Sequence, residues 1–138
     1  MSETGGGIMS ENLSARWLKK AQSDVNKDPM FRKLGSVDTS MALKVGKSAF
    51  LVSFEGFSCH GVRKIDAKEF READFLVEMS PDAWARFVDG RREGSGPTLA
   101  QLDTTEGIVQ AENPRKKLDF LRYQVSLQAF LDAGARAA

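Results

Sequence analysis

The most reactive side chains of the sequence stand together at Ser58-Cys59-His60. A hydroxyl or thiol beside an imidazole is the raw material of nucleophilic catalysis, where a base takes the proton of the attacking group and a third residue orients the base. The spacing works against that use. In an extended segment, neighbouring side chains point to opposite faces, so Cys59 and His60 diverge. Ser58 and His60 share a face but stand roughly 6–7 Å apart along a strand, outside hydrogen-bond reach. No orienting acid is identifiable, and the trio reads as a small core thiol beside a surface imidazole. Glu78 is the other candidate base, since a lone carboxylate in an α+β domain can enolise a substrate. Its place, alternating outward from Phe75 and Val77, is also that of any exposed strand carboxylate.

Metal and phosphate chemistry find less support. With one cysteine and one histidine, an internal disulfide, a multi-cysteine zinc site and a two-imidazole site are all excluded. Glu69, Glu72 and Asp74 are interleaved with Lys68 and Arg71, the pattern of a solvated face. There is no Walker loop: Gly5-Gly6-Gly7 lies near the start, and Gly90, Gly94 and Gly96 follow a helix pattern, not a strand. Arg91 and Arg92 have the chemistry to grip an anion, but their charged, glycine-rich setting reads as a solvated loop. No cofactor and no metal are expected.

The elements that would position such residues follow from length and periodicity. The 138 residues amount to one domain, with residues 1–10 expected as a disordered polar tail and 11–138 as the folded unit. Hydrophobic residues at 41% and charged residues at 28% suit a globular core. Twenty basic residues against nineteen acidic leave a net charge of +1. That balance argues against a nucleic-acid binder and against electrostatic capture by an anionic membrane. No run of 18 apolar residues suggests a transmembrane segment. Met1–Ser10 has neither the basic nor the apolar region of a secretory signal, and a free thiol fits a reducing compartment, so the expected location is cytoplasmic.

Leu13, Trp17, Leu18, Ala21 and Val25 recur at helical spacing, predicting a helix over about 12–26 capped by Ser10 or Asn12. Asp28-Pro29 opens a short helical turn ended by Gly35. The period then changes to two. Strands are predicted around 40–45, 49–54, 57–64 and 75–79, with Gly46-Lys47 and Glu55-Gly56 as turns, and the short links predict an antiparallel meander. Ser80-Pro81 starts a helix that Gly90 is expected to stop. Thr98 caps a short helix, Ile108–Ala111 forms a late strand, and Asn113-Pro114 opens a last helix ended by Gly134. The order of strands and helices predicts an α+β fold: a five-stranded, mostly antiparallel sheet with helices packed on one face.

The last helix is greasier than a surface helix needs to be. Leu118, Leu121 and Val125 lie along one line. Phe120, Leu127 and Leu131 lie along another, with Tyr123 and Phe130 between. Such a helix is covered on two sides, docks on a partner, or closes over an apolar cavity.

The stretch from Glu72 to Gly134 carries a strand of alternating apolar residues (EADFLVEM), then a helix start at Ser80, Asp82 and Trp84. A Gly/Pro loop, a short leucine helix (TLAQL), a late strand (EGIVQAENP) and a long apolar helix follow. With the strands from Met41 to Val62 before it, this resembles the sterol carrier protein type 2 family, whose bacterial stand-alone members are similar in the Gly/Pro loop and final helix. The resemblance implies an α+β fold and non-enzymatic binding or transfer of a hydrophobic small molecule (a lipid, fatty acid, acyl-coenzyme A or sterol) in a tunnel between sheet and helices. Carried over by position, the lining would be Phe75, Val77 and Met79 from the fourth strand, Trp84, Phe87, Leu99 and Leu102 from the middle helices, and Leu118, Leu121 and Val125 from the last. The last helix, flanked by Asn113-Pro114 and Gly134, would be the mobile lid. Two other readings stay open. One is a small isomerase or hydratase with Glu78 or His60 as base; the other is an accessory or assembly protein, or a homodimer, built on the apolar final helix.

Overall fold

The computed structural model describes residues 13–137; the expected tail and the Ser10 and Asn12 caps lie outside them. Helix α1 (Ala15–Lys27) is capped by Ser14, whose hydroxyl accepts from the Trp17 N–H, and it buries Trp17, Leu18, Ala21 and Val25. Asp28 caps the short α2 (Pro29–Lys33), with Pro29 pre-set at its first position. Strands β1 (Thr39–Val45), β2 (Ser48–Glu55) and β3 (Ser58–Lys64) follow through tight turns, in which Gly46 and Gly56 take left-handed φ values of 61° and 62°. A 3₁₀ segment (Ala67–Glu72) leads to β4 (Phe75–Met79). Helices α3 (Pro81–Glu93) and α4 (Leu99–Glu106), the two-residue β5 (Val109–Gln110) and α5 (Pro114–Ala137) complete the chain.

The sheet has the order β3-β2-β1-β4-β5, antiparallel except between β1 and β4. The α+β fold with helices on one face is as expected, but the four-strand meander is not. β4 does not pair with β3; it crosses to the far side of β1 and runs parallel to it, Leu43 opposite Val77. Parallel pairing requires a crossover, and residues 65–74 supply it. Ile65 and Ala73, with the partly buried Phe70, pack on Ala42, Ala49, Leu51 and Leu76, on the face of the sheet away from the helices. That strap explains why Ala42, Ala49 and Leu51 are buried although they alternate with the main core positions.

On the other face, Met41, Leu43, Phe50, Val52, Phe75 and Val77 meet α1, α3 and α5 in one core. Edge-to-face aromatic pairs knit the core: Phe54–Phe130 and Phe75–Phe120 join sheet to α5, and Trp17–Trp84 joins α1 to α3, with ring centroids 5.1–5.6 Å apart. Two glycines expected to end helices lie inside them. Gly90 is inside α3, which stops at Gly94 with φ 75°. A Cβ on Gly90 would stand 2.7 Å from Gly96 Cα, so the glycine permits a close backbone crossing. Gly134 is inside α5, and a Cβ there would overlap the six-membered ring of Trp17. Both are spacing residues, and neither is a stop.

Candidate functional site

A cleft of about 220 Å³ opens where the end of β4, α3 and α4 meet. Met79, Ala83, Phe87, Pro97, Leu102 and Ile108 form its apolar walls, and Arg86 and Glu106 stand at its mouth. Each wall follows from local chemistry. Met79 is the last inward residue of β4, whose alternation buries Phe75, Val77 and Met79. Ser80 accepts from the Ala83 N–H and starts α3 on Pro81, and the helical repeat then puts Ala83 and Phe87 on one side, one turn apart. Thr98 and Gln101 form a capping box that starts α4, placing Leu102 one turn in. Asp103 accepts from the Val109 N–H and so ties the late strand, with Ile108, back to α4.

The ten residues expected to line a tunnel fall into three groups. Met79, Phe87 and Leu102 line the cleft. Phe75, Val77, Trp84 and Leu99 are packed in the core beside it, and the Trp84 ring lies 5.7 Å from that of Phe87. Leu118, Leu121 and Val125 are elsewhere: they face outward, 60%, 49% and 60% exposed. The helix turns its other line inward, with Phe120, Leu127, Phe130 and Leu131 fully buried. The width of its apolar surface reflects one buried face and one exposed stripe, and no wall of the cleft comes from α5. Sequence reasoning missed Ala83, Pro97 and Ile108; Ala83 precedes Phe87 by one turn, which was the available signal.

The candidate bases do not face the cleft. Glu78 is on the opposite face of the sheet, where Lys44 Nζ donates to it at 3.1 Å. His60 is exposed on β3, with Nδ1 3.8 Å from Glu55 Oε1. Cys59 is buried, and burial pushes its thiol up to about 12, a Gly61 backbone hydrogen bond opposing this only in part. A thiol of that acidity is protonated at neutral pH and is no nucleophile. Its backbone is held by α1: Asn26 accepts from the Cys59 N–H, while Asn26 and Gln22 donate to its carbonyl.

The charged groups are structural where the structure pairs them. Arg91 grips Asp132 through two hydrogen bonds, 2.8 and 3.0 Å, and donates to the Gly96 carbonyl. It locks α3 to α5, and the Asp132 carboxylate holds the guanidinium pKa above its usual value. Arg63 spans Glu69 and Glu72 at 2.6 Å each, pinning the strap to β3. Asp74 accepts from the Thr39 hydroxyl at 2.6 Å and from the Ser40 N–H. Among the described residues, no group of acidic, histidine or cysteine side chains is placed to hold a metal ion, and no helix is long and apolar enough to cross a membrane.

Larger depressions are shallower or more polar. One of about 690 Å³ lies between the strap and β5 and is open and edged by Lys68, Arg71, Asp74 and Glu112. Three residues of the small cleft, Met79, Phe87 and Ile108, belong to the main core, whereas the larger depression touches it at Phe75.

No family model matches the sequence, and no curated protein matches it. Solved structures do. The crystal structure of a sterol carrier protein 2 superposes with a TM-score of 0.65 at 20% identity, over 89% of this chain and 95% of that one. The solution structure of a conserved hypothetical protein from Thermus thermophilus, described as a possible sterol carrier protein, superposes with a TM-score of 0.62 at 18% identity, over 92% of this chain and 90% of that one. With about nine-tenths of each chain superposed, the chain has the sterol carrier protein 2 fold.

Proposed function

We propose that this protein binds, without chemical change, a small molecule with an apolar tail, and that the tail enters the cleft between β4, α3 and α4. The observation that carries the reading is the cleft itself: six apolar residues leading from the surface to Met79 and Phe87 in the core, with charged groups only at the mouth. The same architecture in a sterol carrier protein 2 structure supports it. The candidate bases Cys59, His60 and Glu78 lie elsewhere, and the two charged residues of the lining, Arg86 and Glu106, are exposed.

A volume of about 220 Å³ is below the roughly 300–1,000 Å³ of sites for drug-sized ligands. A tail therefore enters by moving a wall. Each buried methylene contributes about 0.8 kcal/mol, near a fourfold gain in affinity. Ordering costs offset several kcal/mol, which puts a 12-carbon tail in the micromolar range. Arg86 at the mouth favours an anionic head on that tail, as in a fatty acid.

The test is a series of saturated fatty acids of increasing length, each displacing a fluorescent fatty acid. The expected result is affinity rising about fourfold per methylene over the short members and then levelling off. Affinity independent of length would remove the tail-binding reading. Native mass spectrometry of the purified protein, before and after denaturation, adds the natural ligand's mass.

A further inference from the structure

The outward side of α5 between Arg115 and Val125 is unlike a solvated helix face. Its exposed residues are Arg115, Leu118, Leu121, Arg122 and Val125. Solvated faces carry polar side chains, yet here three aliphatic residues sit at i, i+3 and i+7, 49–60% exposed, over about 10 Å of helix. Both arginines lie on one flank of this stripe, and neither makes an ion pair among the described residues. Lys117, on the other flank, is held by Asp103 at 2.7 Å. Asp119 is half-buried beyond Arg115, and Glu112 pairs with Lys116. The whole-chain charge of +1 conceals this: residues 114–125 hold four basic side chains and one acidic.

Charge selects the occupant. In heptad terms Leu118 and Val125 take the a position and Leu121 the d position, which puts Arg115 and Arg122 at e and Lys117 at g. A second copy of the helix would set these cations against one another, whether paired parallel or antiparallel, because e and g groups flank the seam. A stable protein interface also uses some 20–30 residues a side, far more than this stripe offers. An interfacial helix asks for what is present: a short aliphatic stripe, basic flanks and an anionic plane to lie on.

We propose that α5 docks the protein on an anionic lipid bilayer, Leu118, Leu121 and Val125 entering the acyl boundary while Arg115 and Arg122 meet the headgroups. The proposal stands independently of what the cleft binds. The two sites are neighbours all the same. Leu102 and Glu106 of α4 face the cleft, while Asp103 and the Leu99 N–H of the same helix are bonded to Lys117 and Gln128 of α5.

The test is flotation with phosphatidylcholine vesicles, with and without phosphatidylglycerol. The expected result is binding only to vesicles that contain phosphatidylglycerol, weakening as salt is raised. Leu118→Gln with Leu121→Gln should lower it more than tenfold, and Arg115→Gln with Arg122→Gln about fivefold per arginine. All four side chains are exposed, so circular dichroism should show the variants folded. Equal binding to neutral vesicles, no binding at low salt, or unchanged binding by both double variants would overturn the proposal. So would a dimer in sedimentation that Leu118→Gln dissolves, since a second copy would then cover the stripe. Fatty-acid displacement by the same variants in solution separates the sites: loss of vesicle binding with displacement intact is expected, and a protein that binds vesicles but no tail would overturn only the cleft reading.

Discussion

Ala83→Leu is the sharpest test of the cleft. Ala83 is half-buried at the third position of α3, and its methyl group forms part of the cleft wall. Leucine adds three carbons and directs them into a space of about 220 Å³. Leucine is a good helix former, and the Ala83 N–H keeps its bond to Ser80 Oγ, so the fold should be unharmed. The added carbons occupy room that roughly three methylenes of a bound tail would otherwise fill. At about 0.8 kcal/mol each, that is ~2.4 kcal/mol, or affinity weaker by about 50-fold at 1.4 kcal/mol per factor of ten. The assay is displacement of a fluorescent fatty acid, with the melting temperature measured alongside. Ala85→Leu is the control: Ala85 lies on the same helix, is equally half-buried, and is not in the cleft. Unchanged affinity in Ala83→Leu, with the melting temperature of the parent, would refute the assignment of the cleft. Equal weakening by Ala85→Leu would refute the argument from position.

Gly134→Ala should destabilise the protein by about 1–3 kcal/mol by overpacking against Trp17, despite alanine's better helix propensity; chemical denaturation measures it, and Trp17→Leu in the same chain should relieve part of the loss. Cys59 should resist thiol reagents at pH 8 until denaturant is added, because burial holds the thiol protonated. The same raised value has a linkage consequence: between about pH 9 and 12 the unfolded thiol ionises while the folded one does not, so the wild type should lose stability with rising pH by up to about 1.4 kcal/mol per unit relative to Cys59→Ala.

What could be read from the sequence was what depends on neighbours along the chain. The caps at Asp28, Ser80 and Thr98, the turns at Gly46 and Gly56 and the inward alternation of β4 all stand as read. What escaped depends on residues far apart. Residues 65–74 look like a polar link because Ile65, Phe70 and Ala73 are spread among seven other residues, six of them charged; only contact with Ala42 and Leu51 reveals a crossover. Gly90 and Gly134 carry the same symbol as a helix stop, and only Gly96 and Trp17 distinguish spacing from termination. In α5, periodicity drew the two apolar lines correctly but could not say which one was inside. The chain buried the line of Phe120, Leu127 and Leu131 together with Phe130, which the spacing places between the lines; Phe120 and Phe130 pair edge-to-face with Phe75 and Phe54. As a result, three of the ten expected lining residues left the interior together.

The same placement decides which element moves to admit a tail. The last helix had the flanks of a lid, but eight of its residues are buried, Gly134 is seated under Trp17, and Arg91 clamps it through Asp132. Displacing it would open the core. Helix α4 is eight residues long and buries only Leu99. Its remaining hold is the partly buried Leu102 and three polar contacts: Gln128 accepts from the Leu99 N–H, Asp103 pairs with Lys117, and Asp103 accepts from the Val109 N–H. A segment with so little buried apolar surface opens at a small fraction of the global stability, and it carries the Leu102 wall of the cleft. Amide hydrogen exchange should therefore be fastest, among the helices around the core, in residues 99–106, and a saturating fatty acid should slow it there more than in α3 or α5. Protection of α4 equal to that of α5 without ligand would refute this gating. Protection gained chiefly in residues 127–135 would return the role to the last helix.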